Sequence, residues 1–328
     1  MPYELDHRLV VGVAPSALFD LSESDAVFKE GLDAYRAYQD LHIDEPLRKG
    51  AAFPFIVRLL GLNDLSPEDP LVEVIVLAKD DAITGLRLMK SIAHYGLRIE
   101  RAVFTEGTAP YEYIPALNIC LYLSGNRRDV QEAVDRSFPA GVVLGRTAPA
   151  GSDADEGAGA LRVAFDFDGV VADLESQEVY DRDELPGFLA YEAERADEPH
   201  SPGPMAQLVR ALGKIQRAEL ERSATDSGYV PRVRIALVTA RQAPAHERAI
   251  RTLREWDVHF NDTFFLGGIE KARVLRILRP HIMFDDQQGH LDPIAEEIAA
   301  VLVPSITRSR PGLVASPGAA EQTPEETR

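Results

Sequence analysis

The feature that most constrains this chain is that its sequence runs through one pattern twice. Asp44-Glu45-Pro46 recurs as Asp197-Glu198-Pro199, Gly50 as Gly203 and Tyr38 as Tyr191, all at an offset of 153 residues. Asp20-Leu21 and Asp173-Leu174 keep the same offset. Further on, RLMKSIAHYGLRIERAVF at 87–104 runs parallel to RAIRTLREWDVHFNDTFF at 248–265. Matches in one order with a slowly drifting offset mark a duplication. Two related units are therefore expected, and 328 residues suit them at roughly 150 residues per domain. Between the units, residues 148–160 (APAGSDADEGAGA) replace the apolar pattern with small and acidic residues and read as a linker. Residues 306–328, rich in Pro, Ala, Thr and Glu, read as a disordered tail. The folded units are then 1–147 and 161–305.

Each unit alternates short apolar runs with helical stretches, which argues for an α/β fold built on a parallel sheet. Strands are predicted at 9–13, 73–77, 102–105 and 118–123 in the first unit. In the second they fall at 162–167, 234–239, 263–266 and 281–284, with helices at 245–256 and 271–278. Between the first two strands of each unit lies a long, mostly helical insertion, about 175–231 in the second. Its length exceeds an ordinary crossover, and it is expected to sit over the carboxyl edge of the sheet as a cap.

Ligands of open α/β sheets bind beyond the carboxyl ends of the strands. In the second unit those ends carry Asp166-Phe167-Asp168-Gly169, then Thr239 followed by Arg241, then Gly267-Gly268 and Lys271, then Asp285-Asp286. Taken singly, each is an ordinary cap, turn or solvated residue. Together they bring several carboxylates to one point. At ~4 Å and an effective dielectric near 20, each pair of like charges costs about 4 kcal/mol, so a cation is needed to join them. Carboxylate and water oxygens suit Mg²⁺. The histidines His94, His246, His281 and His290 share no metal spacing and read as surface or capping residues. The Gly pair lacks a following GKS or GKT, and no GxSxG surrounds Ser16 or Ser124. AAFPF at 51–55 is read as core.

This arrangement resembles the haloacid dehalogenase superfamily of phosphotransferases, through DFDGV, the Thr of LVTAR, Lys271 and the Asp pair of FDDQ. Over nearly all of 9–305 the chain more closely resembles the cytosolic 5′-nucleotidase type I family, through SALFDL, AAFPF, RLMKSIAHYGLRIER, LYLS, VAFDFDGVV, ALVTAR and RPHIMFDDQ. It departs from that family between the two aspartates, where the family carries a small residue and this chain has Phe167. The resemblance implies two haloacid-dehalogenase-like (Rossmann-like) lobes with helical cap insertions, the N-terminal lobe degenerate. It implies hydrolysis of nucleoside 5′-monophosphates such as AMP or IMP in two steps. Asp166 is then the nucleophile and Asp168 the general acid and base. Thr239 and Lys271 hold phosphoryl oxygens. Mg²⁺ is bound by Asp166, the Asp168 backbone carbonyl and either Asp285 or Asp286. A phosphatase of another small phosphomonoester and a nucleotide-binding regulatory protein are the alternatives.

Read against the second unit, the first has Val13, Pro15, Ala78, Pro110, Tyr122 and Leu123 where the reactive residues stand. None can attack phosphorus, bind Mg²⁺ or donate to a phosphate, so the first unit is expected to be catalytically silent. Composition narrows the partners. The net charge of −18 repels nucleic acid and anionic membranes, and no apolar run approaches the ~20 residues of a bilayer span. Cys120 is the only cysteine, and MPYELDHRLVVGV lacks a signal-peptide pattern, so a cytoplasmic protein is expected. The expected partner is the nucleoside monophosphate itself, with a homo-oligomer left open.

Overall fold

The computed structural model describes residues 4–149 and 160–306; nearly all of the expected linker and tail lies outside the described residues. The first half runs β1 (Leu9–Val13), α1 (Pro15–Leu18), β2 (Phe19–Asp20), α2 (Ser22–Phe28), α3 (Leu32–Leu41), β3 (Arg48–Lys49), α4 (Phe53–Gly61), β4 (Val72–Ala78), α5 (Gly85–His94), β5 (Arg101–Phe104), β6 (Leu121–Ser124), α6 (Arg127–Asp135) and β7 (Ala140–Leu144). The second runs β8 (Leu161–Phe165), α7 (Glu175–Glu194), α8 (Ala206–Thr225), β9 (Val233–Thr239), α9 (His246–Glu255), β10 (Asp262–Phe265), α10 (Lys271–Leu278), β11 (Ile282–Asp285), α11 (Gln288–Leu291) and β12 (Ala299–Leu302).

Ten strands form one sheet in the order β10-β9-β8-β11-β12-β7-β6-β1-β4-β5. Every pairing is parallel except β12 with β7. Read outward from that antiparallel joint, both halves give fifth, fourth, first, second, third strand. A two-fold relation between like halves produces this, because rotation sets the two fifth strands side by side and opposed. The fifth strands, β7 and β12, were not expected from sequence. All residues of β1 and β4 are buried, as strands covered on both faces must be. Alternate residues feed two cores: Leu9, Val11 and Val13 one, Val10 the other. Phe53 and Phe55 lie in the first core, as expected.

The insertion between β8 and β9 divides its work. Helix α8 lays Leu208, Val209, Leu212 and Ile215 on the first core and touches both β9 and β1. Helix α7, interrupted at Glu184 and Pro186, lies by α9 and the turn after β8. Helix α4 in turn reaches β4 and β8, so this face binds the halves together as the sheet does.

Strand register corrects the internal alignment. Leu9 pairs with Val72 as Leu161 pairs with Val233, and Val11 with Leu121 as Val163 with Ile282. Asp166 and Asp168 therefore correspond to Ala14 and Ser16, not Val13 and Pro15. Asp285 and Asp286 correspond to Ser124 and Gly125, not Tyr122 and Leu123. An apolar run carries no mark of where its strand ends, so sequence alone leaves this alignment uncertain by one or two residues. Ala78 and Pro110 stand opposite Thr239 and Lys271 as expected.

The repeated glycines are explained by close approach. The Gly50 N–H donates to the Leu18 carbonyl at 2.9 Å, and the Gly203 N–H to the Val171 carbonyl at 2.8 Å. A Cβ on Gly203 would stand 2.2 Å from the Ala172 carbonyl oxygen, and one on Gly50 would stand 2.7 Å from the Phe19 nitrogen. Gly203→Ala is expected to cost about 1–3 kcal/mol. A urea melt reads this as a lower midpoint at unchanged slope; a wild-type midpoint would mean that the backbone yields there.

Candidate active site

Strand β8 ends at Phe165, and the Asp166 N–H continues the ladder to the Phe284 carbonyl at 2.8 Å. That contact aims Asp166 beyond the sheet's carboxyl edge, where its Oδ1 accepts from the Phe167 N–H at 2.7 Å. Phe167 points the other way: it is fully buried, edge-on to His200 and under the Arg241 guanidinium. Its bulk therefore lies behind the site rather than in it. Asp168 returns to the site, its carboxylate gripped by Arg241 through Nε at 2.8 Å and a terminal nitrogen at 2.6 Å. Gly169 follows at φ +72°, and a Cβ there would meet Asp286 Oδ2 at 2.7 Å. Glycine is what lets this turn reach Asp286.

The other strand ends converge on the same point. Lys271, first residue of α10, is buried, with Nζ 2.6 Å from Asp166 Oδ2 and 2.7 Å from Asp285 Oδ2. Asp285 closes β11 in full burial; its other oxygen accepts from the Gln287 N–H at 2.9 Å and lies 3.1 Å from His290 Nδ1. Thr239 closes β9, buried, its hydroxyl oxygen accepting from the Arg241 N–H at 3.3 Å. The hydroxyl proton remains free to donate. Asp286 differs from the rest, because its Oδ1 is buried with no hydrogen-bond partner.

Electrostatics follow from burial among like charges. Burial raises the Asp166 pKa, against the pull of Lys271. Burial, then Asp166 and Asp285, push Asp286 up to about 7. Asp285 goes the other way: burial would raise it, but His290 and Lys271 outweigh burial and hold it below the usual range. Burial would likewise lower Lys271, yet Asp166 and Asp285 carry it upward. One ammonium thus compensates two buried carboxylates and leaves a third oxyanion unmatched.

All six residues singled out from sequence are brought together. Arg241 was noticed but given no role, His290 was read as a surface or capping residue although it braces Asp285, and two residues, Glu192 and His200, were missed. Glu192 of α7 is fully buried; it accepts from Ser176 at 2.7 Å, from Arg248 at 3.0 Å and from Arg241. Burial opposes its ionisation, but His200 and Arg241 hold its pKa well below the usual range. His200 lies 3.3 Å from Glu192, and His290 braces Asp285. His94 is exposed, and His281 Nδ1 accepts from the Arg162 N–H at 2.9 Å, as structural histidines would.

A cation fits this donor set. Asp166, Asp285 and His290 form one cluster of ligand-type atoms, but the Lys271 ammonium already bridges Asp166 and Asp285. The unsatisfied oxygen is on Asp286, and an all-oxygen set of Asp166, the Asp168 carbonyl and Asp286 suits a hard ion. Among the described residues, no helix is long and apolar enough to cross a membrane.

Comparison with known proteins agrees with the chemistry. Residues 1–310 match the family model described as 5′-nucleotidase. The chain is 31% identical over 299 residues to human cytosolic 5′-nucleotidase 1B, covering 89% of this chain and 48% of that protein. It thus spans about half the length of that relative. Among solved structures, histidinol dehydrogenase from Elizabethkingia anophelis matches over 85% of this chain and 64% of its own. At 9% identity and a TM-score of 0.24, that likeness carries no argument. The family match spans both halves and the whole carboxylate cluster, and on it the chain belongs to the 5′-nucleotidase family.

Proposed function

We propose that this chain is a Mg²⁺-dependent phosphohydrolase of nucleoside 5′-monophosphates, working through an aspartyl-phosphate on Asp166. The observation that carries the reading is the convergence of Asp166, Asp168, Thr239 and Lys271 beside the unpartnered Asp286 oxygen. Family membership supports the substrate class, and the name of the human relative supports 5′-nucleotide hydrolysis.

Asp166, Asp286 and the backbone carbonyl of Asp168 would hold the ion, while Asp285 keeps Lys271 in place. Bound there, Mg²⁺ supplies the positive charge that lets an anionic nucleophile approach an anionic phosphate. The Asp166 carboxylate attacks phosphorus in line, and the bond to the 5′ oxygen breaks. Asp168 gives its proton to that departing oxygen. It then takes one from the water that cleaves the acyl-phosphate, returning the Asp166 carboxylate and inorganic phosphate. Thr239 donates its hydroxyl proton and Lys271 a fixed charge to the phosphoryl oxygens.

We read residues 161–305 as a haloacid-dehalogenase-like catalytic lobe and 1–147 as its silent copy. Ala14, Ser16, Ala78, Pro110, Ser124 and Gly125 at the matching positions support this. Helix α7 is the part of the insertion suited to cap the site.

A phosphate-release screen over nucleoside monophosphates and sugar phosphates tests the function. Release is expected from nucleoside 5′-monophosphates, and EDTA is expected to abolish it until Mg²⁺ is restored. Preference for sugar phosphates would move the reading to another phosphomonoester. EDTA-resistant release would remove the metal, and no release from any substrate would leave a nucleotide binder.

A further inference from the structure

The two halves act as an internal control that separates residues the fold needs from residues the chemistry needs. Arg248 donates to the Glu198 carbonyl at 2.8 Å, and its counterpart Arg87 donates to the Glu45 carbonyl at 3.0 Å. Thr252 takes the His200 N–H at 3.0 Å, and Ser91 takes the Leu47 N–H at 2.9 Å. These contacts hold the insertion against the following helix, and both halves keep them. Glu192 and Gln39 occupy one place: each accepts from that arginine, at 3.0 Å and 3.4 Å. Register puts Asp80 opposite Arg241 and Ser16 opposite Asp168. The chain Asp168–Arg241–Glu192 is therefore replaced as a unit, Ser16, Asp80 and Gln39, in the half that lacks the nucleophile. What disappears with the chemistry was not needed for the fold.

The geometry of that chain is suited to orientation. Arg241 is 3% exposed and presents two nitrogens to the two oxygens of Asp168. A planar fork fixes the plane of the carboxylate as a single donor cannot. The remaining terminal nitrogen, on the Glu192 carboxylate and the Ala245 carbonyl, keeps the fork from turning. Phe167 and Phe188 lie against the guanidinium. Glu192 belongs to α7, so the seat of the insertion reaches Asp168 through one side chain.

We propose that Arg241 and Glu192 are positioning residues that hold the Asp168 carboxylate toward the departing 5′ oxygen, which makes the seating of α7 part of the proton-transfer geometry. This rests on the reading of Asp168 as proton donor. Its consequence is selective: the residues matter when the leaving group needs a proton and matter little when it does not.

The experiment compares first-turnover release of adenosine from AMP with release of nitrophenolate, which leaves unprotonated, from p-nitrophenyl phosphate. Arg241→Lys keeps the charge and loses the fork; Glu192→Gln keeps the shape and loses the anchor. Both are expected to slow the AMP reaction about 10²-fold and the aryl phosphate reaction at least about tenfold less. Arg248→Gln, which loosens α7 through Glu192 and Glu175 but leaves the Arg241 fork on Asp168, is expected to show the same selectivity in weaker form. Equal losses on both substrates, or no loss, in Arg241→Lys and Glu192→Gln would overturn the proposal. Should Glu192→Gln fail to fold, Arg241→Lys decides. Asp168→Asn separates the two readings. If it shows no substrate selectivity, the general-acid assignment itself fails. If it does and the other variants do not, only the positioning role fails.

Discussion

Asp166→Asn is expected to lower phosphate release by about 10⁴-fold or more while the protein stays folded and still binds nucleoside monophosphate. The loss follows from covalent catalysis: an amide cannot form the acyl-phosphate, and the neighbouring carboxylates are committed elsewhere, Asp285 to Lys271, Gln287 and His290, Asp168 to Arg241, and Asp286 to the proposed ion. Folding survives because the retained Oδ1 still accepts from the Phe167 N–H, and Lys271 keeps Asp285. Binding survives because the substitution removes a negative charge from a carboxylate cluster that an anionic phosphate must enter. Calorimetric titration of the variant with AMP is expected to give an affinity no weaker than wild type. Residual release near the wild-type rate would end the nucleophile assignment, and loss of binding would mean that Asp166 does something other than attack phosphorus.

What the sequence made legible was what sits next to an apolar run. Asp166, Thr239 and Asp285 each lie at or beside the end of a buried strand, so reading strand ends was enough to find them. Lys271 was reached because it opens a helix with clear apolar spacing. Glu192 gave no such signal. It sits in a mostly exposed, charged helix and is buried only because α7 folds back onto Arg241 and Arg248. His290 looked like a scattered surface histidine because its partner, Asp285, depends on the α11 turn rather than on spacing. The strands β7 and β12 were short apolar runs whose meaning lies in each other: their antiparallel pairing joins the halves, and no local pattern encodes that contact. The difference between Asp285 and Asp286 also needed coordinates, because two adjacent aspartates are equivalent until one is seen holding a lysine and the other with an unpartnered Oδ1.

Lys271→Met is expected to be the most damaging single change to stability, at about 3–5 kcal/mol, because it strips the shared counter-ion from two buried carboxylates. For a chain of this size that is a fall in Tm of about 5–8 °C. The shape of methionine matches the lysine stem, so the cost is electrostatic and should depend on conditions in a defined direction. Burial already raises Asp166, and losing Lys271 raises it further. A carboxyl whose folded pKa lies above its unfolded value binds more protons in the folded state, so its stability contribution grows as pH falls through the folded value. The gap between variant and wild type should therefore narrow from pH 8 toward pH 5. Mg²⁺ should narrow it too, by restoring a cation to the same cluster without restoring phosphate release, since no ammonium holds the phosphoryl oxygens. Thermal melts across pH, with and without Mg²⁺, read both trends. A gap indifferent to both would mean that the lysine stem, rather than its charge, is what the site requires.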